Sequence, residues 1–263
     1  MLQAQLRGKL SRKEEDMEDL LTSNVFGSIK YVSLSEGLAP ILASSEDMNG
    51  NKGIQLLQEI AEAHYEFWPR LKEQECNACE PDVLIRVKFA NDRKALLLIE
   101  AKYHSDKSSF ADENVSPRDQ LACEWHNLAR RGEIEHALPI LLYVTADLAF
   151  PVEDIRASQE ELRSKGLPEM TVFWVSWRRI YSLFSSVREE TILKDLSKVL
   201  QRAGLTFYEG RQLWKPIGVD WAFKTQVHWE WSYRLFEFEW EFSQNKGFNW
   251  QFRNRAIKWR LNN

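Results

Sequence analysis

An acid follows a proline at Pro81-Asp82, and the most apolar run of the chain, ALLLIEAKY at 95–103, closes with Glu100 and Lys102. Side chains two apart in a strand share a face, so Glu100 and Lys102 point the same way, into or over a core. Charged groups are costly there unless they pair or bind a metal. Two carboxylates and an ammonium suit a divalent cation. Mg²⁺ takes oxygen ligands, keeps several waters, and binds through one or two carboxylates plus substrate phosphates. Asp82 and Glu100 would supply such oxygens, and the carbonyl of Ala101 another. Lys102 would stand beside a metal-bound water or a phosphate, where it would orient or deprotonate a nucleophile and offset transition-state charge. The rival reading is a surface ion pair on an exposed sheet face, worth about 0–1 kcal/mol.

Proximity depends on the elements that carry these groups. DVLIRVKFA at 82–90 alternates, with Val83, Ile85, Val87 and Phe89 on one face, and ALLLIEAKY is its partner strand across the turn NDRK. Counting symmetrically about that turn sets Asp82 opposite roughly residue 103. Before the hairpin, SRKEEDMEDLLT at 11–22 reads as a helix capped by Ser11, with Met17, Leu20, Leu21 and Val25 as its stripe. Residues 23–51 are mixed, 52–64 suggest a second helix, and YEFWPRL at 65–71 suggests a strand interrupted by Pro69. After it, Ser116-Pro117 opens a helix to about Arg131, ALPILLYVT is a buried strand, 153–165 is helical and TVFWVSW is a strand. Helices follow at about 178–185 and 188–203, the latter ended by Gly204.

From residue 206 the composition shifts. Seven of the eleven tryptophans lie in 211–263, and HWEWSYRLFEFEWEF alternates aromatic with polar residues, as an antiparallel sheet does. Its acids, Glu230, Glu239 and Glu241, would repel phosphate, so a packed sheet is favoured there over a base-stacking surface. The terminal FRNRAIKWRLNN differs: Arg253, Arg255, Lys258 and Arg260 cluster around Trp259 as a candidate phosphate-binding surface. The expected division is thus 1–205 and 206–263. The net charge of −4 over 263 residues advertises no global attraction for nucleic acid, so any such site is local. Three cysteines give no even disulfide framework, no secretory leader is evident, and no apolar run is long enough to span a membrane. A cytoplasmic, reduced protein is expected. Cys76-Asn77-Ala78-Cys79 lacks the second pair that structural zinc needs, and these cysteines are read as incidental.

Pro81-Asp82 and Glu100-Ala101-Lys102, on consecutive strands within residues 12–145, resemble the two half-motifs of the PD-(D/E)XK nuclease superfamily. The resemblance implies an α/β restriction-endonuclease-like core of helix, three-stranded meander, helix and strand, with helices flanking a mixed sheet. It implies an acid on the first helix that completes the metal site as a third carboxylate, for which Glu18 is chosen and Glu14 and Glu15 are alternatives. It also implies a glutamine on the following helix, matched by Gln120 in RDQLACEW, that holds a phosphate or a water. In the loop HSDKSS, Lys107, Ser108 and Ser109 would touch DNA phosphate and His104 would titrate near the metal. The implied activity is hydrolysis of DNA phosphodiester bonds with Mg²⁺, or Mn²⁺ in its place, in restriction, repair or defence against mobile DNA. DNA is the implied partner, with a homodimer or protein partners open, and no nucleotide cofactor is evident. Two alternatives stand beside it: an idle DNA-binding or assembly subunit of the same fold, and a scaffold that docks a larger complex through its aromatic sheet.

Overall fold

The computed structural model describes residues 15–53, 60–73, 76–103, 117–187 and 192–207, with side chains from residue 18 onward. All belong to the first of two units into which the chain divides, Met1–Tyr208. The expected aromatic β region, apart from Thr206 and Phe207, lies outside the described residues.

Five strands form one sheet in sequence order: β1 (Ile60–Phe67), β2 (Val83–Phe89), β3 (Lys94–Ala101), β4 (Leu138–Thr145) and β5 (Val172–Ser176). β1, β2 and β3 make an antiparallel meander, and β3, β4 and β5 run parallel. Parallel strands need crossovers. They are supplied by α3 (Gln120–Glu135) between β3 and β4 and by α4 (Val152–Ser164) between β4 and β5. Right-handed crossovers that advance in one direction put both helices on one face. That face is built on Leu84, Leu96, Leu98, Leu141, Tyr143 and Trp174. The opposite face, with Val83, Ile85, Leu97, Ile99 and Leu142, packs α1 (Glu15–Ile29), α2 (Leu38–Ser44), α5 (Trp177–Ser185) and α6 (Ile192–Arg202). β3 is therefore covered on both sides, which accounts for its unbroken apolar run. Each fully buried leucine there contributes about 1.5–3 kcal/mol.

The helix expected over 52–64 is overturned where it can be checked. Residues 60–64 are strand, and β1 pairs with β2 from Ile60↔Phe89 to Phe67↔Val83. Backbone pairing against a preformed neighbour outweighs the weak helical spacing of Ile60 and Ala61. Ile54 and Leu57 lie outside the described residues. α1 continues past the expected end at residue 22, because Val25, Phe26 and Ile29 extend its buried stripe. α2 falls within the stretch read as mixed. α3 begins later than Ser116-Pro117 suggested. Its cap is Asp119, whose carboxylate accepts from Ala122 N at 3.0 Å and from Ser158 Oγ at 2.6 Å.

The far end of α3 depends on Gly132. A Cβ there would meet the Ala137 carbonyl oxygen at 2.8 Å, closer than side-chain carbons normally come to backbone. Gly132→Ala is expected to lose about 1–3 kcal/mol of stability, measured by urea denaturation, despite alanine's higher helix propensity.

Candidate functional site

Asp82 opens β2 at the edge where β3 ends. Its carbonyl accepts from Trp68 N at 2.8 Å, which fixes the backbone, and its Oδ2 accepts from Ala101 N at 2.8 Å. The observed register, Val83↔Ile99, carried one residue further sets Asp82 level with Glu100. The expected partner, residue 103, is thus corrected by three places. The hairpin turns through Ala90, Asn91 and Asp92, with Asp92 N donating to Phe89 O at 3.0 Å and Phe89 N to Arg93 O at 2.9 Å. Asp92 takes the left-handed conformation, φ 61°, that such a three-residue loop demands.

Pro81 has a physical reason to precede Asp82. The same register carried one step more faces Pro81 to Ala101. Proline has no N–H to give a ladder. The Ala101 N–H turns to the Asp82 carboxylate, and Pro81 donates nothing to the Ala101 carbonyl.

Lys102 leaves β3 with its backbone held from two sides. Its N–H donates to Val144 O at 2.7 Å, and its carbonyl accepts from Trp177 Nε1 at 3.0 Å. The ammonium then reaches Glu100 Oε1 at 2.8 Å and Glu18 Oε1 at 3.4 Å. Glu18 comes from α1, on the other face of the sheet, and its second oxygen accepts from Tyr103 N at 2.8 Å. Gln120, the first residue of α3, donates from Nε2 to Glu100 Oε1 at 2.5 Å and to Glu124 Oε1 at 2.9 Å. The site thus sits at one end of β3, where helices from both layers meet over the edge of the sheet.

These groups are out of water. Glu100 is 2% exposed, and Asp82 and Lys102 are each 8% exposed. That excludes an ion pair on an exposed sheet face. Burial, then the charges of Glu100 and Glu18, push the Asp82 carboxyl well above its ordinary range. Burial likewise raises Glu100, with Lys102 pulling against it. Burial works against the charge of Lys102, but Glu100 and then Glu18 outweigh it and hold the ammonium above its usual value. Glu124 is pushed well up by burial and by Glu100.

Asp82, Glu100, Lys102, Glu18 and Gln120, all singled out from the sequence, come together. Glu14, His104, Lys107, Ser108, Ser109, Arg253, Arg255, Lys258 and Arg260 lie outside the described residues, as does the side chain of Glu15. Glu124 and Trp177 were not anticipated. Glu124 had a readable cue, since four residues from Gln120 is one helical turn. Trp177 had none, because its indole reaches Lys102 from a distant helix. The three cysteines are buried and none is in a disulfide. The backbone of their segment is tied to α3, Asn127 Nδ2 donating to Asn77 O at 2.7 Å.

Among the described residues, no three His, Cys, Asp or Glu side chains form a ready-made metal cage. The donor set is nevertheless of the kind Mg²⁺ uses, since that ion needs only one or two carboxylates and fills the rest with water. Asp82 and Glu100 are level on adjacent strands, and Pro81 makes no claim on the neighbouring Ala101 carbonyl. No helix among the described residues is long and apolar enough to cross a membrane. No family model, curated protein or solved structure matches the chain.

Proposed function

We propose that this chain is a metal-dependent nuclease of the PD-(D/E)XK type that hydrolyses DNA phosphodiester bonds. The observation that carries this reading is the convergence of Asp82, Glu100 and Lys102 at one buried end of β3, with Glu18 and Gln120 against them. The order of helix, antiparallel meander, helix and parallel strand around that point is consistent with a restriction-endonuclease-like core. Carboxyl ends of parallel strands are where α/β sheets hold ligands.

In this reading Asp82 and Glu100 hold Mg²⁺ or Mn²⁺, with the Ala101 carbonyl as a further oxygen. When bound, the ion supplies charge for the phosphate and lowers the pKa of a water. The chain's own residues do the rest. Lys102 presents its ammonium to the nucleophile and the phosphate, where it orients the attack and offsets developing charge. Glu18 and Glu100 aim that ammonium from two sides. Gln120 fixes the Glu100 carboxylate from α3. Burial removes competing water and strengthens each of these interactions.

Incubation of supercoiled plasmid and single-stranded DNA with Mg²⁺ or Mn²⁺ tests the reading. Cleavage by the wild type that disappears in Asp82→Ala and Lys102→Ala is the expected result. Cleavage that survives both substitutions, or its absence from the wild type with either ion, overturns it.

A further inference from the structure

Glu124 is 1% exposed, and its Oε2 has no hydrogen-bond partner. Around it on α3 stand apolar neighbours, Leu121, Cys123, Trp125 and Leu128, all buried. A carboxylate in such a place costs stability, and an apolar residue of similar size would be the cheaper tenant. The nearby ammonium of Lys102 is within reach of Glu100 and Glu18. Glu124 accepts from Gln120, and its carboxyl is also within hydrogen-bonding reach of Glu100. A primary amide has two N–H hydrogens. In Gln120 one points to Glu100 Oε1 at 2.5 Å and the other to Glu124 Oε1 at 2.9 Å. The two contacts together fix which end of the amide faces the carboxylates. With Glu124 gone, the Gln120 amide would lose one of the two acceptors that orient it toward Glu100.

α3 itself is well anchored at this point. Arg118 N and Asp119 N donate to Glu161 at 2.7 and 2.9 Å, and Ser158 Oγ donates to Asp119. The helix start is therefore tied to α4 through Glu161 and Ser158.

We propose that Glu124 is a positioning residue. It holds the Gln120 amide so that Gln120 in turn fixes Glu100 for the cation and for Lys102. This rests on the reading of the site as a metal-dependent nuclease. It extends that site by one residue, which lies one helical turn behind the glutamine. Gln120 is thereby assigned to the carboxylates, and not to a DNA phosphate, because both of its hydrogens are already used.

The two demands on Glu124 give opposite signs, and that makes the proposal testable. Glu124→Met removes a costly buried carboxyl while filling its space. The melting temperature of the metal-free protein is expected to rise by about 2–5 °C. Mn²⁺ affinity, read by calorimetry without DNA, and kcat for plasmid cleavage are each expected to fall about 10- to 100-fold, the usual effect of losing an outer partner of a metal ligand. KM for DNA stays within about threefold of wild type. Glu124→Gln keeps an oxygen for the Gln120 amide and recovers most of both losses. A fall in melting temperature together with activity would mark Glu124 as a packing residue and overturn the proposal. So would unchanged Mn²⁺ affinity and kcat in Glu124→Met. Glu100→Ala in the same experiment separates the two levels. If it leaves Mn²⁺ binding intact, the metal-site reading itself fails. If it abolishes binding while Glu124→Met does nothing, only the role of Glu124 fails.

Discussion

Lys102→Met is expected to reduce DNA cleavage about 1000-fold, the loss seen when one preorganised charge or donor is taken from a transition state. The same substitution is expected to destabilise the fold in a way that depends on pH. In the wild type the ammonium lies 2.8 Å from Glu100 and 3.4 Å from Glu18, and all three side chains are largely buried. Removing one member of a buried ion pair leaves its partner's charge uncompensated, at about 3–5 kcal/mol. That cost applies only while Glu100, whose carboxyl burial raises, is ionised; as pH falls it takes up a proton and its uncompensated charge disappears. Urea denaturation of Lys102→Met against wild type should therefore show a large deficit at pH 8 that shrinks toward pH 5. An equal deficit at both would mean that the lysine matters here through its packed methylenes, not its charge.

The second large effect concerns protons and divalent cations together. The carboxyls of Asp82, Glu100 and Glu124 are all raised above their ordinary values, chiefly by burial. The folded chain then binds more protons than the unfolded chain at pH values above the ordinary carboxylate range, roughly 4. Stability changes with pH in proportion to protons bound unfolded minus folded, so these three groups make it fall as pH climbs. Their contribution is complete below that range and is lost as pH rises through the raised values. Lys102, raised from its ordinary 10.5, keeps its own contribution until the pH is more alkaline than that. A divalent cation needs the same oxygens without their protons, so its apparent affinity rises with pH. At about 100 times its dissociation constant, Mn²⁺ should stabilise the protein by about 2.7 kcal/mol, near 5–10 °C in melting temperature. The shift should be largest at pH 8 and much smaller near pH 5.5. Thermal melts across a Mn²⁺ series at both values measure it. A shift independent of pH would place the ion away from these carboxyls.

Much of this site is legible in the sequence, because it is built from local rules. Alternation put Glu100 and Lys102 on one face, and a short turn brought Asp82 near them. One helical turn of spacing would have found Glu124 as well. The register differs from the count about NDRK because nothing in that tetrapeptide marks Asp92 as left-handed, and that conformation shifts the centre of the turn and moves every cross-strand partner. The start of β1 departs from the expected helix for a different reason. Ile60 and Ala61 suit a helix by spacing, and only the availability of β2 as a neighbour decides for a strand. The hold of Trp177 on Lys102 joins residues far apart in the chain, and no pattern within a short window reports such a contact.

Glu18 arrives from the layer of helices on one side of the sheet, and Gln120 and Glu124 arrive from the other. They meet at the rim because a complete strand would keep them apart. Each half of the cluster is thus a tenant of a separate sandwich layer, and the lysine is the rivet between them. A slip of either layer by the length of one bond would unfasten the cluster while leaving both hydrophobic seams intact. If the proposed cleavage takes place there, its rate will be a finer gauge of the alignment of the layers than any spectroscopic measure of helix or strand content.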